Sequence, residues 1–350
     1  MKSITELAEK IGVSPSTVSR ALKNDSRISK ETKELVIKEA NKYGFTPKTY
    51  SKKQNKTLKH KTVALVVNTE NYPFSNSILT GIEQAFQNSG HNIIVVNSSD
   101  NANKEIEQLS SIQNLVQGII IVPAGAPSSF TSDYLQEVAK KIPVLTLVRS
   151  LSIEGIDSMS FDQYTSAFNL VNILIQNGHN NIAFMSGPLR YNPTLNKLSA
   201  YTDALRANNI PIKSEYINYT AFNEEEAADK LITLLTKHKE ITAVFSANIP
   251  ITRGCLIGLN RMGWKIPENI ALVSHGSEQD YLYYPGGITS VSEKQIDIGF
   301  QSGKWMLDKL NNYKYNKKNV IQRLIYNSET HVYGTEKYPI HPISELVNHE

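Results

Sequence analysis

The stretch ITELAEKIGVSPSTVSRALKNDSRISKETKELVIKEANKYGFTP, residues 4–47, reads as three short helices. Ile4, Leu7, Ala8 and Ile11 recur at helical spacing, and Ser3 with Glu6 three residues on forms a capping box. Gly12 ends that helix, because glycine enters the left-handed conformation without strain. After Val13, Ser14 caps a second helix and Pro15 opens it, where a missing N–H costs nothing. This second helix, residues 15–23, turns Val18, Ala21 and Leu22 inward and Ser16, Thr17, Ser19 and Arg20 outward. A third begins at Ser29, sets Leu35, Val36, Ala40 and Tyr43 on its buried side and stops near Gly44. Two short helices joined by Gly12, Val13 and Ser14 make a helix-turn-helix, whose second helix is the one that enters a DNA major groove.

Charge supports a polyanion at this end. Residues 1–62 carry 15 Lys and Arg against 6 Asp and Glu, whereas the remainder carries 22 against 27. A basic head on a mildly acidic body is the footprint of a nucleic-acid module joined to something else. Pro15, Ser16 and Arg20 are the candidates for base edges, since arginine bonds guanine O6 and N7 together. Ser14, Thr17, Ser19, Asn24 and Ser29 are candidates for phosphate contacts, helped by the positive helix N-termini. For Ser14 and Ser29 that contact is additional to capping; Ser3 reads as a cap alone. Residues 48–61 hold six lysines and no acid and form a basic linker, which binds phosphates in a salt-dependent way.

The rest of the 350-residue chain is large enough for a substantial core. No apolar run approaches the ~20 residues of a membrane span. The first residues lack the apolar core of a secretion signal. The single cysteine, Cys255, excludes an internal disulfide and a cysteine-rich zinc site. These features lead us to expect a cytoplasmic protein without metal or cofactor. Apolar strands are readable at residues 62–67, 92–97, 118–122, 144–148, 182–186, 243–247 and 270–274, with helical stretches between them. Such alternation indicates parallel sheets covered on both faces. There are enough units for two doubly wound lobes with a crevice at the strand carboxyl ends. The expected class is α/β: a small all-α helix-turn-helix head followed by two parallel-sheet lobes.

The head resembles the DNA-binding domain of the LacI/GalR family of bacterial regulators. Ala8, Gly12, Val13, Ser14, Thr17, Val18, Ser19, Arg20, Leu22, Ile28, Ser29, Thr32, Val36, Gly44, Phe45 and Pro47 fall on the family pattern. The body is similar to the family's periplasmic-binding-protein-like core: Asn71 to Phe74, Gly81 and Ile82, Val116 to Ile120, Gly178 and His179, Ile182 to Pro188, Phe245 to Asn248, and Ile266 to Ala271 follow its landmarks in order. The resemblance covers residues 3–333. It implies a homodimeric repressor on a two-fold operator, with an effector bound between lobes joined by crossovers near residues 160, 290 and 318. The implied division is a head over 1–46, a hinge over 47–61, a first lobe over 62–160 plus 291–318, a second over 161–290 plus 319–334, and a tail over 335–350 without the heptads of a tetramer-forming coiled coil. In the hinge, family members insert a leucine between base pairs. Gln54 stands in that place here, with Ser51 as the usual small residue and Lys52 and Lys53 as further DNA contacts.

In the cleft, the positions where sugar-responsive members carry aspartates are Val148, Ile249 and Gly276, and Lys197 stands for a usual arginine. Asn248 remains, Asp162 follows the crossover strand, and Arg149, Arg190 and His275 lie in strand-end loops. Phe74, Tyr191, Phe222 and Tyr283 offer rings, though each alone is as well explained by packing. The exchange of acids for bases points to an anionic effector, such as a phosphorylated sugar; a degenerate cleft read by a partner protein is the alternative. An enzyme is the first rival class, and no GxxxxGK[ST], GxSxG or HExxH motif supports it. A solute-binding protein explains the body and leaves the basic head without a role.

Overall fold

The computed structural model describes residues 4–22, 25–42, 62–69, 72–124, 129–149, 153–276, 284, 286–312 and 321–339. The chain divides into two compact units, a head within the first 62 residues and a body that holds nearly all the rest.

In the head, α1 spans Ile4–Ile11, α2 Pro15–Leu22 and α3 Lys30–Lys42. Gly12, at φ +76°, donates its N–H to the Ala8 carbonyl (2.9 Å) and closes α1. Ser14 caps α2 by accepting the Thr17 N–H (3.1 Å), and Ser29 caps α3 by accepting the Thr32 N–H (3.2 Å). Leu7, Ala8, Val18, Ala21, Val36 and Ala40 form the head's core. Leu35, expected inside, is 47% exposed. Val36 and Ala40, four residues apart, define the buried face of α3, and Leu35 lies one helical step off it. Ser3 and Tyr43 lie outside the described residues, as does the whole hinge.

The body holds two six-stranded sheets. The first is built from β1 (Thr62–Val67), β2 (Asn92–Asn97), β3 (Gly118–Ile121), β4 (Val144–Leu147), β5 (Asp157–Phe161) and β11 (Arg323–Tyr326), in the order β11-β5-β4-β3-β1-β2. Helices α4 (Tyr72–Phe86), α5 (Ala102–Ile112), α6 (Ser129–Ala139) and α11 (Gln295–Asn312) belong with it. The second contains β6 (Ile182–Ser186), β7 (Ile217–Tyr219), β8 (Ala243–Ser246), β9 (Ala271–His275), β10 (Ser290–Ser292) and β12 (Glu329–His331), in the order β12-β10-β9-β8-β6-β7. Its helices are α7 (Gln163–Gln176), α8 (Asn192–Ala207), α9 (Glu224–Lys237) and α10 (Ile249–Arg261). Neighbouring strands from β11 to β1 and from β10 to β7 pair parallel, whereas β10 and β12 pair antiparallel.

Alternation along the strands explains the layering. Ile182 and Phe184 of β6 join one apolar cluster with Leu170, Leu174 and Tyr201 of α7 and α8. Ala183 and Met185 join the other, with Leu231 of α9 and Leu259 of α10. Consecutive side chains of a strand point to opposite faces, so a strand buried on both reads as one apolar run.

Two boundaries differ from the sequence reading. The third crossover falls between Tyr326 and Glu329, beyond the expected position near 318, because β11 pairs with β5 of the first sheet (Arg323 with Ser158). The expected tail also begins too early. Thr335 donates its hydroxyl to the Leu272 carbonyl (2.7 Å) and accepts the Thr289 N–H (2.9 Å), while Glu336 accepts from Gly334 (2.9 Å) and from the Thr289 hydroxyl. Both residues are buried. These polar bonds stitch Thr335 and Glu336 onto the second lobe, so the lobe extends past the boundary that the resemblance implies.

Candidate functional site

The head presents one polar helix face. Val18 and Ala21 anchor α2 inward, while Ser14, Pro15, Ser16 and Arg20 are exposed and Thr17 and Ser19 half-buried. The Ser14 hydroxyl bonds the hydroxyls of Ser16 and Thr17 (2.8 Å each), so capping and the outward face share one network. Arg27 forks onto Asp25 in the turn before α3 (Nε to Oδ1 3.0 Å, Nη2 to Oδ2 2.7 Å), and that pairing holds the Asp25 carboxyl well below the usual carboxylate range. Ser29 is exposed at the start of α3. Asn24, Lys52, Lys53 and Gln54 lie outside the described residues.

In the body, a cleft of about 520 Å³ opens at the carboxyl ends of strands from both sheets. Strand ends gather there because each parallel strand hands its chain to a helix at that edge. Of the sequence candidates, Phe74, Arg149, Arg190, Lys197, Phe222, Asn248 and His275 line it. Asp162 is not among the lining residues; it caps α7 by accepting the Thr165 N–H (2.9 Å). Asn248 caps α10 by accepting the Ile251 N–H (3.1 Å).

Val148, in the position expected for an aspartate, has φ +61°. The Arg149 N–H bonds back to the Leu147 carbonyl (2.6 Å), a tight three-residue turn that sends the arginine to the cleft. Arg149 pairs with Asp100 and donates to the Pro123 carbonyl (3.0 Å).

On the floor, Lys197 is buried and donates to the Ala247 carbonyl (2.8 Å). Burial brings its pKa down to about 8, against the opposing pull of Glu293. Burial also raises the Glu293 carboxyl, and Lys197 partly offsets that. Gln163 donates its amide to Glu293. His275 is held neutral by burial and by the nearby Lys197. Ser166 gives its proton to the Asp162 carbonyl (2.5 Å), so the contact of its oxygen with His275 Nε2 (3.0 Å) takes the Nε2–H tautomer. The bare Nδ1 then faces Glu293 at 3.7 Å. Gln163 Oε1 and Ser186 Oγ are buried in this lining and make no hydrogen bond among the described residues.

The expectation of a cleft poor in acids is therefore corrected. Asp100, Glu224 and Glu293 all line it. Sequence reasoning sought carboxylates at β4, β8 and β9, whereas these follow β2, β7 and β10. Asp100 carries a legible signal, an acidic residue just past the readable strand β2, whereas Glu293 does not, because β10 is a three-residue polar strand that periodicity cannot find.

Two family models divide the chain between them. Residues 3–48 match that of bacterial regulatory proteins of the lacI family, and residues 60–325 that of periplasmic binding proteins and the sugar binding domain of the LacI family. The chain belongs to the LacI family. As a family member it is a DNA-binding regulator of transcription whose larger domain takes a small-molecule effector. This LacI-family chain is 27% identical over 305 residues to catabolite control protein A of Priestia megaterium, covering 85% of this chain and 89% of that protein. It is 25% identical over 312 residues to the transcriptional repressor CytR of Escherichia coli K12, covering 88% and 89%. Among solved structures it shares its fold with the regulator CelR in complex with cellobiose (21% identity, TM-score 0.70, 96% of this chain and 100% of that one). The lac repressor dimer bound to operator and an anti-inducer matches equally well (18%, TM-score 0.70, 96% and 99%). Among the described residues no helix is long and apolar enough to cross a membrane.

Proposed function

We propose that this protein represses transcription in the cytoplasm as a homodimer on a two-fold operator, and that a small polar molecule in the cleft controls it. The observation that carries this reading is the face of α2, where Pro15, Ser16 and Arg20 stand exposed at the start of a helix anchored by Val18 and Ala21. Bases would be read by Arg20 and Ser16, while Ser14, Thr17, Ser19, Asn24 and Ser29 hold phosphates, with Lys52, Lys53 and Gln54 adding contacts from the hinge.

For the effector we favour a neutral, hydroxyl-rich molecule over the anion that strand-end substitutions suggest. Three lining cations have a carboxylate at hand: Arg149 has Asp100, Arg253 has Glu224 at 3.7 Å, and Lys197 has Glu293. Arg190, exposed at the rim, is left over. The lining mixes donors (Lys197, Arg190) with acceptors (Gln163 Oε1, Glu293, Ser186), the pattern that hydroxyl groups satisfy from both sides. Phe74 and Phe222 add apolar contact, and Asn248 and His275 complete the wall. Selection of random duplexes yields the operator, and fluorescence anisotropy on it then compares neutral saccharides with their phosphate esters. We expect neutral sugars alone to change operator affinity; a response confined to phosphate esters restores the anionic reading.

A further inference from the structure

Within the cleft lining the first lobe grips one ring of the second. Tyr191, in the loop between β6 and α8, is 2% exposed. Its hydroxyl donates to Asp100 in the loop after β2. The Arg149 guanidinium, at the end of β4, lies 4.1 Å from the ring centroid and is itself paired with Asp100. On its own lobe the ring is backed by Phe222, 5.5 Å away, and Arg190, 4.6 Å away. Two contacts thus cross from one lobe to the other, and the Arg149–Asp100 pair ties the two loops of the first lobe together. Val148 adds a second observation. A β-branched residue at φ +61° is strained, and such strain persists only where its surroundings enforce it. The tight turn at Val148 delivers Arg149 to Asp100 and Tyr191. The bridge residues line the cleft without filling it, and about 520 Å³ remains, within the roughly 300–1,000 Å³ range of small-molecule sites.

We propose that Asp100, Arg149 and Tyr191 form a bridge that holds the two lobes closed by the chain's own side chains. The effector then meets a cavity already shaped and does not have to draw two separate lobes together. A binding-competent state that dominates beforehand costs the ligand no affinity for closure. The bridge concerns the body alone, so it stands or falls independently of the operator and of effector identity.

The test is an inter-lobe distance in purified, effector-free protein. Spin labels at Ser110→Cys in α5 and Thr236→Cys in α9 sit on exposed residues of the two lobes, and native Cys255 is buried. Labelled protomers are diluted into unlabelled chain so that pulsed dipolar spectroscopy reads distances within one protomer. We expect one narrow distance in the parent. In Asp100→Asn/Tyr191→Phe, which keeps side-chain size and the ring, we expect a broadened distribution with a longer component at an unchanged unfolding temperature. Arg149→Ala should broaden it in the same way, which covers a double variant that fails to fold. Identical distributions in parent and folded variants would overturn the proposal, as would a broad distribution already present in the parent.

Discussion

In the proposed function, Arg20 is the residue on which sequence recognition turns. It is exposed on α2, and no ion pair with it is found among the described residues. Arg20→Ala should weaken specific operator binding by roughly 1–3 kcal/mol while leaving effector affinity unchanged. Anisotropy on operator and calorimetry on effector read the two separately, and an unaltered operator affinity would remove Arg20 from the base-reading set. Glu105 offers a second test. Fully buried on α5, it accepts the Ala124 N–H (2.7 Å) through Oε2, while Oε1 finds no partner among the described residues. Burial pushes its carboxyl up to about 7. The folded chain therefore prefers the neutral acid, whose contribution is whole below the ordinary value of 4.5 and is lost as pH rises through about 7. Stability of the parent relative to Glu105→Gln should fall across that window by on the order of 3 kcal/mol, measured by denaturant unfolding at successive pH values; parallel curves would contradict it. At this scale the head was legible, because a cap, a turn glycine and an outward face are local. Asp100 meeting Tyr191 was not legible, because ninety-one positions separate them and only the two-sheet topology brings them together.

At the scale of elements, α4 and α11 cross so closely that only glycine fits. A Cβ on Gly81 would lie 2.0 Å from the Ile296 carbonyl oxygen, and one on Gly299 2.3 Å from that of Ile78. Both obstacles are backbone, so neither can swing aside. Gly299→Ala should lower stability by about 1–3 kcal/mol or more, seen as a reduced denaturation midpoint; a neutral result would mean that the two helices separate freely. Gly12 acts by another mechanism. A Cβ there meets nothing within 4 Å, yet φ is +76°. Gly12→Ala should therefore cost the head about 1–2 kcal/mol through backbone strain alone. The apolar strands β1, β3, β4, β6, β8 and β9 were readable to within a residue or so because both faces are buried. DSMSF, INY, SVS, RLIY and ETH were not, being short, polar or at a sheet edge. Missing RLIY misplaced the third crossover.

For the whole molecule, the segregation of charge gives the account its reach. The head and hinge carry the excess of lysine and arginine, and the body carries the excess of acid. In the proposed function that basic excess holds any duplex through its phosphates, and the α2 face distinguishes one sequence from another. The central claim is sequence-specific binding by a two-fold dimer. Its most direct test is genome-wide footprinting of the purified protein on fragmented host DNA at moderate salt, run in parallel with Arg20→Ala. We predict a short two-fold-symmetric site near a small number of operons, lost in the variant. Occupancy everywhere, with steep salt dependence, no symmetric site and no difference in the variant, would contradict the account.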